Sequence, residues 1–415
     1  MRSTDGVYKE LTAMRVRKPW IEALRESKQA GQGSSTPKEY PKPDTTPKTM
    51  KDSYVKIVLP LVQDPWLLDT YANATGQLRT GAILMDLDAM AGVVAYKHTG
   101  EVTAAVDRIS IKNPLHEICD LELSGQVTFA TGRSSMEITL QVAKAPQPGQ
   151  SVTPDDVFMT CSMTMVALDP ATKKPVNIAP LKVESHGDRA LFAKGEENYN
   201  SKKALKGSHI LSMPPNEDES TAIHKMWTEN LAYADSNNPA TQPSNAISMA
   251  KSNIHSTQIS QPQYRNRHNF MVFGGYLLKQ TFELAFTCAS AFSHSRVQFL
   301  NLDPSTFEEP VPVGSVLYIG ARVTYTEPDK NGGTRVQVMV NTHVRDIEHA
   351  ERKNTGTFFY TFHTDADVMV LPQTYSEFMM WVQGRRRAKR LDATLHADGK
   401  DAQILTGGST SNVTE

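Results

Sequence analysis

Two carboxylates sit where the surrounding sequence gives them no company. Asp88 follows Gly81 in an apolar run, and after it no charged residue appears until Lys97. Glu283 follows Gly275 in a similarly apolar context. A lone carboxylate on an enclosed helix is costly unless it has a partner or a task. The task that fits is activation of water against a carbonyl, or direct attack on it. Gly274-Gly275 opens a predicted helix. Unpaired N–H groups and the positive end of the helix dipole converge at such a point, which makes it a ready oxyanion site. Glycine also lets a substrate carbonyl come close to the backbone. Asn269, separated from that pair by four residues, supplies a polar orienting group. Each has a plainer reading. Asp88 could bond to a backbone group or a nearby Thr, and Asp86, on another face, is the alternative acid. Asn269 could form a turn, the glycines a tight helix start, and Glu283 a structural contact.

The elements that must hold these residues come in two matching sets. The segments 107–114 (DRISIKNP) and 303–310 (DPSTFEEP) share a seven-residue Asp-to-Pro spacing at an offset of 196 (303 minus 107). Val127-Thr128 and Val323-Thr324 keep that offset, as do His98 and His294. An internal repeat of this kind marks two copies of one unit. In each copy a long, largely apolar helix (81–96; 275–292) precedes strands of period-2 alternation, such as Leu121/Leu123/Gly125/Val127 and Val336/Val338/Val340. The alternation predicts a sheet with one buried and one partly wet face. Helices apolar on most of their circumference must be enclosed. One antiparallel sheet wrapped around one central helix is the hot-dog arrangement, so the fold class is α+β, two hot-dog domains fused as a pseudo-dimer.

The boundaries follow from composition: an N-terminal extension and flexible linker at 1–52, hot-dog domain 1 at 53–184, and an inter-domain linker with one helix at 185–256. Hot-dog domain 2 spans 257–384, and a basic segment with a disordered tail spans 385–415. Lys plus Arg number 44 and Asp plus Glu 45, so no basic footprint for nucleic acid exists. No apolar run reaches the roughly 18 residues of a membrane span. Cys119, Cys161 and Cys288 are scattered, and no cluster has metal-ligand spacing, so no metal or cofactor is expected. His98 and His294 read as helix-end residues favoured by the negative end of the dipole. The Arg385–Arg390 cluster reads as a solvated tail, with binding of phosphates as the alternative.

The strings HNFMVFGGYLLKQTFELA (268–285), FEEPVPVGS (307–315) and LRTGAILMDLDAMAGVVAYKH (78–98) resemble the tandem hot-dog acyl-CoA thioesterases, especially the mitochondrial type of animals and fungi. The resemblance spans about residues 54–384. It implies acyl-CoA as substrate, a carboxylate of one hot-dog working with the Asn and Gly-Gly loop of the other, a mitochondrial location and a homo-oligomer, commonly a trimer. Carried onto this chain, the catalytic set is Asp88, Asn269 and Gly275, with Gly274, Glu283 and Arg296 contacting substrate. The first half has no Asn-FGG loop and offers only Asn73 and Arg79-Thr80-Gly81, so one good site and one degenerate site are expected. The order Asn113-Pro114-Leu115-His116 resembles a hydratase motif, but Ile111 stands where that motif needs Asp. A non-catalytic acyl-CoA binder or scaffold is the remaining alternative.

Overall fold

The computed structural model describes residues 18–30, 44–99, 103–111, 117–169, 174–205, 210, 212–234, 242–266, 270–305, 307–330, 332–348, 351–398 and 405. Asn269 and the segment 113–116 lie outside them.

Among these residues the alternating segments join into one ten-stranded antiparallel sheet. Two short parallel pairs stand apart from it, β1 (Lys48–Thr49) with β7 (Leu181–Lys182) and β8 (Ala246–Ser248) with β14 (Met369–Leu371). Five strands come from each half. The first five run in the order β2 (Val55–Leu59), β4 (Leu121–Ala130), β5 (Ser135–Lys144), β6 (Val157–Val166), β3 (Thr103–Ile111). The second five mirror them as β10 (Val297–Leu302), β13 (Arg352–Thr364), β12 (Thr334–Arg345), β11 (Val316–Pro328), β9 (Ile254–Ile259). The halves join where β3 meets β10, through Ser110 opposite Asn301 and Ile109 opposite Leu302.

The repeat reaches single atoms. A bulge inserts Thr128 in β4 and Thr324 in β11, and each bulge frees a backbone N–H that needs an acceptor. Val127 N–H donates to Ser53 Oγ and Val323 N–H to Ser252 Oγ, both at 3.0 Å. The Val-Thr pairs keep their offset because each marks this bulge.

Eight helices accompany the sheet among the described residues: α1 (Trp20–Ala30), α2 (Met50–Ser53), α3 (Pro65–Tyr71), α4 (Thr80–Thr99), α5 (His186–Leu205), α6 (Glu217–Ala234), α7 (Gly274–Ser293) and α8 (Tyr375–Asp398). The two apolar helices of the repeat are α4, packed on β4 and β5, and α7, packed on β11 and β12, and they also lie against each other. Ile83, Leu84, Leu87 and Met90 of α4 and Leu278 of α7 are fully buried, each contributing about 1.5–3 kcal/mol through the area removed from water. No helix among the described residues is long and apolar enough to cross a membrane.

Several expectations need correction. The face of β4 turned from α4 is not wet, because α5 lies over it: Phe129 packs on Phe192 and Tyr199, and Asn198 donates to Ser162. The extension 1–52 contains α1 and β1, and 185–256 contains α5, α6, β8 and the first residues of β9. The basic cluster is no solvated tail, since α8 runs through it. Arg387 is 7% exposed, with its guanidinium 3.6 Å above the Phe359 ring and 3.8 Å from Asp303. Burial lowers it to about 10. Arg386 binds both oxygens of Glu219 on α6. His98 is fully buried and donates from Nε2 to Ala179 O at 2.8 Å. Burial holds it below the ordinary imidazole range, so it is a neutral core group and not a dipole-stabilised cation. His294 instead caps α7 in the left-handed region, at φ 48°.

The packing of α8 gives a direct test. A Cβ at Gly384 would lie 2.3 Å from Tyr325 Cβ, an atom fixed to the β11 backbone. Alanine favours a helix interior by ~1 kcal/mol over glycine, but forced overpacking costs ~1–3 kcal/mol. Gly384→Ala is therefore expected to lower the melting temperature, and a melt at or above that of the unsubstituted protein would contradict this packing.

Candidate active site between the two halves

The helices α4 and α7 run antiparallel, so the middle of each faces the start of the other. Asp88 meets Gly275 near the N-terminus of α7, and Glu283 meets Gly81 near the N-terminus of α4. The sequence therefore places one carboxylate at each end of a pseudo-twofold seam. The helices touch at these crossings, against backbone at Gly275 and against the flexible Glu283 side chain at Gly81. A Cβ on Gly275 would stand 2.8 Å from Met85 O, and one on Gly81 would stand 2.8 Å from Glu283 Oε1.

At the first end the Asp88 carboxylate, 4% exposed, accepts a hydrogen bond from Gly275 N–H at 2.8 Å. The donor is one of the first-turn amides that have no acceptor within their own helix, and the helix start favours negative charge. A Cβ on Gly274 would lie 3.4 Å from Asp88 Oδ2 and from the Phe307 ring. Asp88, Gly274 and Gly275 are thus brought together from opposite halves. One role changes: Gly275 N–H, expected to face an oxyanion, is engaged with Asp88 and orients it.

Asn269 lies outside the described residues, but the stem of its loop is defined. Asn266 N–H donates to Met271 O at 2.7 Å, and Arg265 bridges Val272. The returning limb is tied to β11's approach by Val272 N–H to Val311 O and Val313 N–H to Phe270 O. The stem continues directly into α7.

The rival acid Asp86 is turned away from this seam. It is 1% exposed and accepts a hydrogen bond from Tyr71 Oη at the end of α3, inside the first half. That contact anchors the strand of chain leading into α4 and leaves Asp86 a structural group.

At the second end the arrangement differs. Arg79 Nε donates to Glu283 Oε1 at 2.7 Å, forming a half-exposed ion pair. Sequence reasoning placed Arg79 in the counterpart loop without assigning it a partner; the Glu283–Arg79 distance of 204 positions hid the contact. Asn73 does not replace Asn269 there. Its side-chain oxygen already accepts from Thr75 N–H, Thr75 Oγ and Gln77 N–H. Arg296 is exposed and lines a cleft of about 580 Å³ together with Asn73, Gln77, Ser290 and His294. Its neighbours belong to the loop leading to Arg79, so Arg296 joins the Glu283 end and not Asp88.

No family model matches the chain. Among curated proteins it is 33% identical over 360 residues to "Acyl-coenzyme A thioesterase 9, mitochondrial" of Bos taurus, covering 84% of this chain and 80% of that one. It is 30% identical over 373 residues to "Acyl-coenzyme A thioesterase 2, chloroplastic" of Humulus lupulus, covering 85% and 83%. Among solved structures, an acyl-CoA hydrolase of Staphylococcus aureus, in complex with butyryl coenzyme A among others, matches with a TM-score of 0.34 and 22% identity, over 37% of this chain and 95% of that one. With two hot-dog units in one polypeptide and a third of its residues shared with the bovine protein over most of both lengths, the chain belongs to the acyl-coenzyme A thioesterase family.

Proposed function

We propose that this acyl-CoA thioesterase hydrolyses acyl-CoA to free fatty acid and CoA at the Asp88 end of the seam, with Asp88 as the base. The observation that carries the reading is the Asp88–Gly275 hydrogen bond, a buried carboxylate of one half held at the helix start of the other. Asp88 takes a proton from water as the water oxygen adds to the thioester carbonyl. Gly274 N–H, on the same helix start, is the backbone donor left to receive the oxyanion, and Asn269 is the polar residue assigned to orient the reactants. The C–S bond then breaks, and the departing thiolate takes the proton from Asp88. The negative charge of the transition state thus develops beside fixed dipoles, where such stabilisation is largest.

Glu283 and Arg296 contact substrate in this reading from the far end of the seam, with the Arg296 cleft open to the anionic part of CoA. Bovine and plant relatives carry mitochondrial and chloroplastic names; a mitochondrial location and a homo-oligomeric state are inferred from the family, and cell fractionation and light scattering check them.

Release of free CoA thiol from a panel of acyl-CoA esters, short to long, tests the activity itself. Asp88→Asn keeps the shape but removes the base, and is expected to lower kcat about 10²–10⁴-fold with little change in melting temperature. Glu283→Gln is expected to cost far less. Equal losses in both variants would point to two working sites, and an unaffected Asp88→Asn would remove Asp88 from the mechanism. Gly275→Ala tests the helix start separately. Its methyl would meet Met85 O, a backbone atom that cannot rotate away, so the amide must shift from Asp88. Misplacement of about 1 Å can cost ~10²-fold, and a kcat within twofold of the unsubstituted enzyme would count against the role of this contact.

A further inference from the structure

The two ends of the seam are built alike and finished differently. Each carboxylate reaches the first turn of the opposing helix, beside a glycine that admits it. Asp88 Oδ2 accepts from a backbone amide, which orients the carboxylate. Glu283 carries one more methylene, passes Gly81 and ends on the guanidinium of Arg79.

Arg79 is not free to leave. Its own N–H donates to Tyr71 O at 2.6 Å, and its carbonyl accepts from Ala82 N–H at 3.0 Å, the first bond of α4. The loop before it is closed by an antiparallel bridge between Ala72 and Leu78 and by the Asn73 side chain. The backbone thus fixes the point from which the guanidinium reaches Glu283. A guanidinium keeps its proton at any working pH and matches a carboxylate oxygen in a charge-assisted hydrogen bond. The ion pair occupies Glu283 Oε1 and ties the carboxylate to one direction, away from a substrate carbonyl at the helix start.

Resting on the reading of Asp88 as base, we propose that Arg79 is the residue that keeps the second end of the seam from hydrolysing thioesters, by holding Glu283 in an ion pair. Arg79 acts through Glu283 and is a positioning residue, not a catalytic one. Beyond the missing Asn-FGG loop, the silence of the second end then depends on two separable properties of the chain, the charge at 79 and the length of the acid at 283. Removing the charge frees Glu283 to take a proton from water. Shortening the acid by one methylene withdraws it from Arg79 towards the start of α4.

The experiment is rescue of an Asp88→Asn enzyme. Adding Arg79→Gln, or separately Glu283→Asp, is expected to raise thiol release at least about tenfold over Asp88→Asn alone, a modest share of what a positioned base supplies. Adding Glu283→Gln to the Arg79→Gln rescue is expected to abolish the gain, which a merely structural effect of residue 79 would not produce. Arg79 is half-exposed, and thermal melts verify that each variant is folded. If both rescues leave the Asp88→Asn rate unchanged while the melts are retained, the assignment of Arg79 is overturned. An Asp88→Asn enzyme as fast as the parent would instead overturn the Asp88 reading, and absence of turnover in the parent would overturn the function.

Discussion

Two apolar helices pressed together along an antiparallel seam create the constraint on which the remainder of the molecule depends. Burial of α4 and α7 against their sheets removes Asp88 almost entirely from water, and a carboxylate there must find a partner in protein. The antiparallel crossing offers one at a fixed place. The helix start opposite each acid has N–H groups that its own hydrogen-bond ladder cannot use, so Asp88 satisfies Gly275 and Gly275 satisfies Asp88. The same contact stabilises the interface of the halves and defines the centre where chemistry is proposed. The sheet serves it from outside: the β3–β10 junction joins the halves edge to edge and fixes the helix pair in register beneath ten strands.

Much of this was legible in the chain because it rests on local pattern. Period-2 strands, largely apolar helices and the offset of 196 give two copies of one unit, and the Val127-Thr128 and Val323-Thr324 pairs mark bulges that each copy closes with a serine. The isolation of Asp88 in an apolar run pointed to a buried carboxylate, and the double glycine pointed to a helix start approached closely by something else. What could not be read depends on contacts between residues far apart in the chain. The Arg79–Glu283 pair is one such contact. The Arg385–Arg390 cluster is another, since its composition is that of a solvated segment, and only packing of Gly384 against Tyr325 brings Arg387 over Phe359. His98 and His294 share a repeat position but not an environment: the chain at 179 folds over one helix end and leaves the other open.

Fusion of the two copies explains why such differences exist at all. Two separate, identical hot-dog chains pairing about a twofold axis must present identical ends, because every substitution appears twice. One polypeptide carrying both units has no such restriction. Its helix starts can diverge, one into a Gly-Gly turn fed by the 265–272 loop, the other into an Arg-Thr-Gly start fed by the loop that Asn73 closes on itself. The demand for a partner is strongest at the buried Asp88 end, since leaving one member of a buried polar pair unpaired costs about 1–3 kcal/mol, more when it is charged, and it is weaker at the half-exposed Glu283 end. An end that gives up its carboxylate–amide contact must therefore supply another partner, and a nearby cation is the strongest available. Arg79 fulfils that structural demand for Glu283, and in doing so it takes up the charge that a base would need. In the proposed mechanism stability and chemistry draw on the same carboxylate, so the end that secures its acid with a cation gives up its use as a base, while the end whose acid accepts from a backbone amide keeps it.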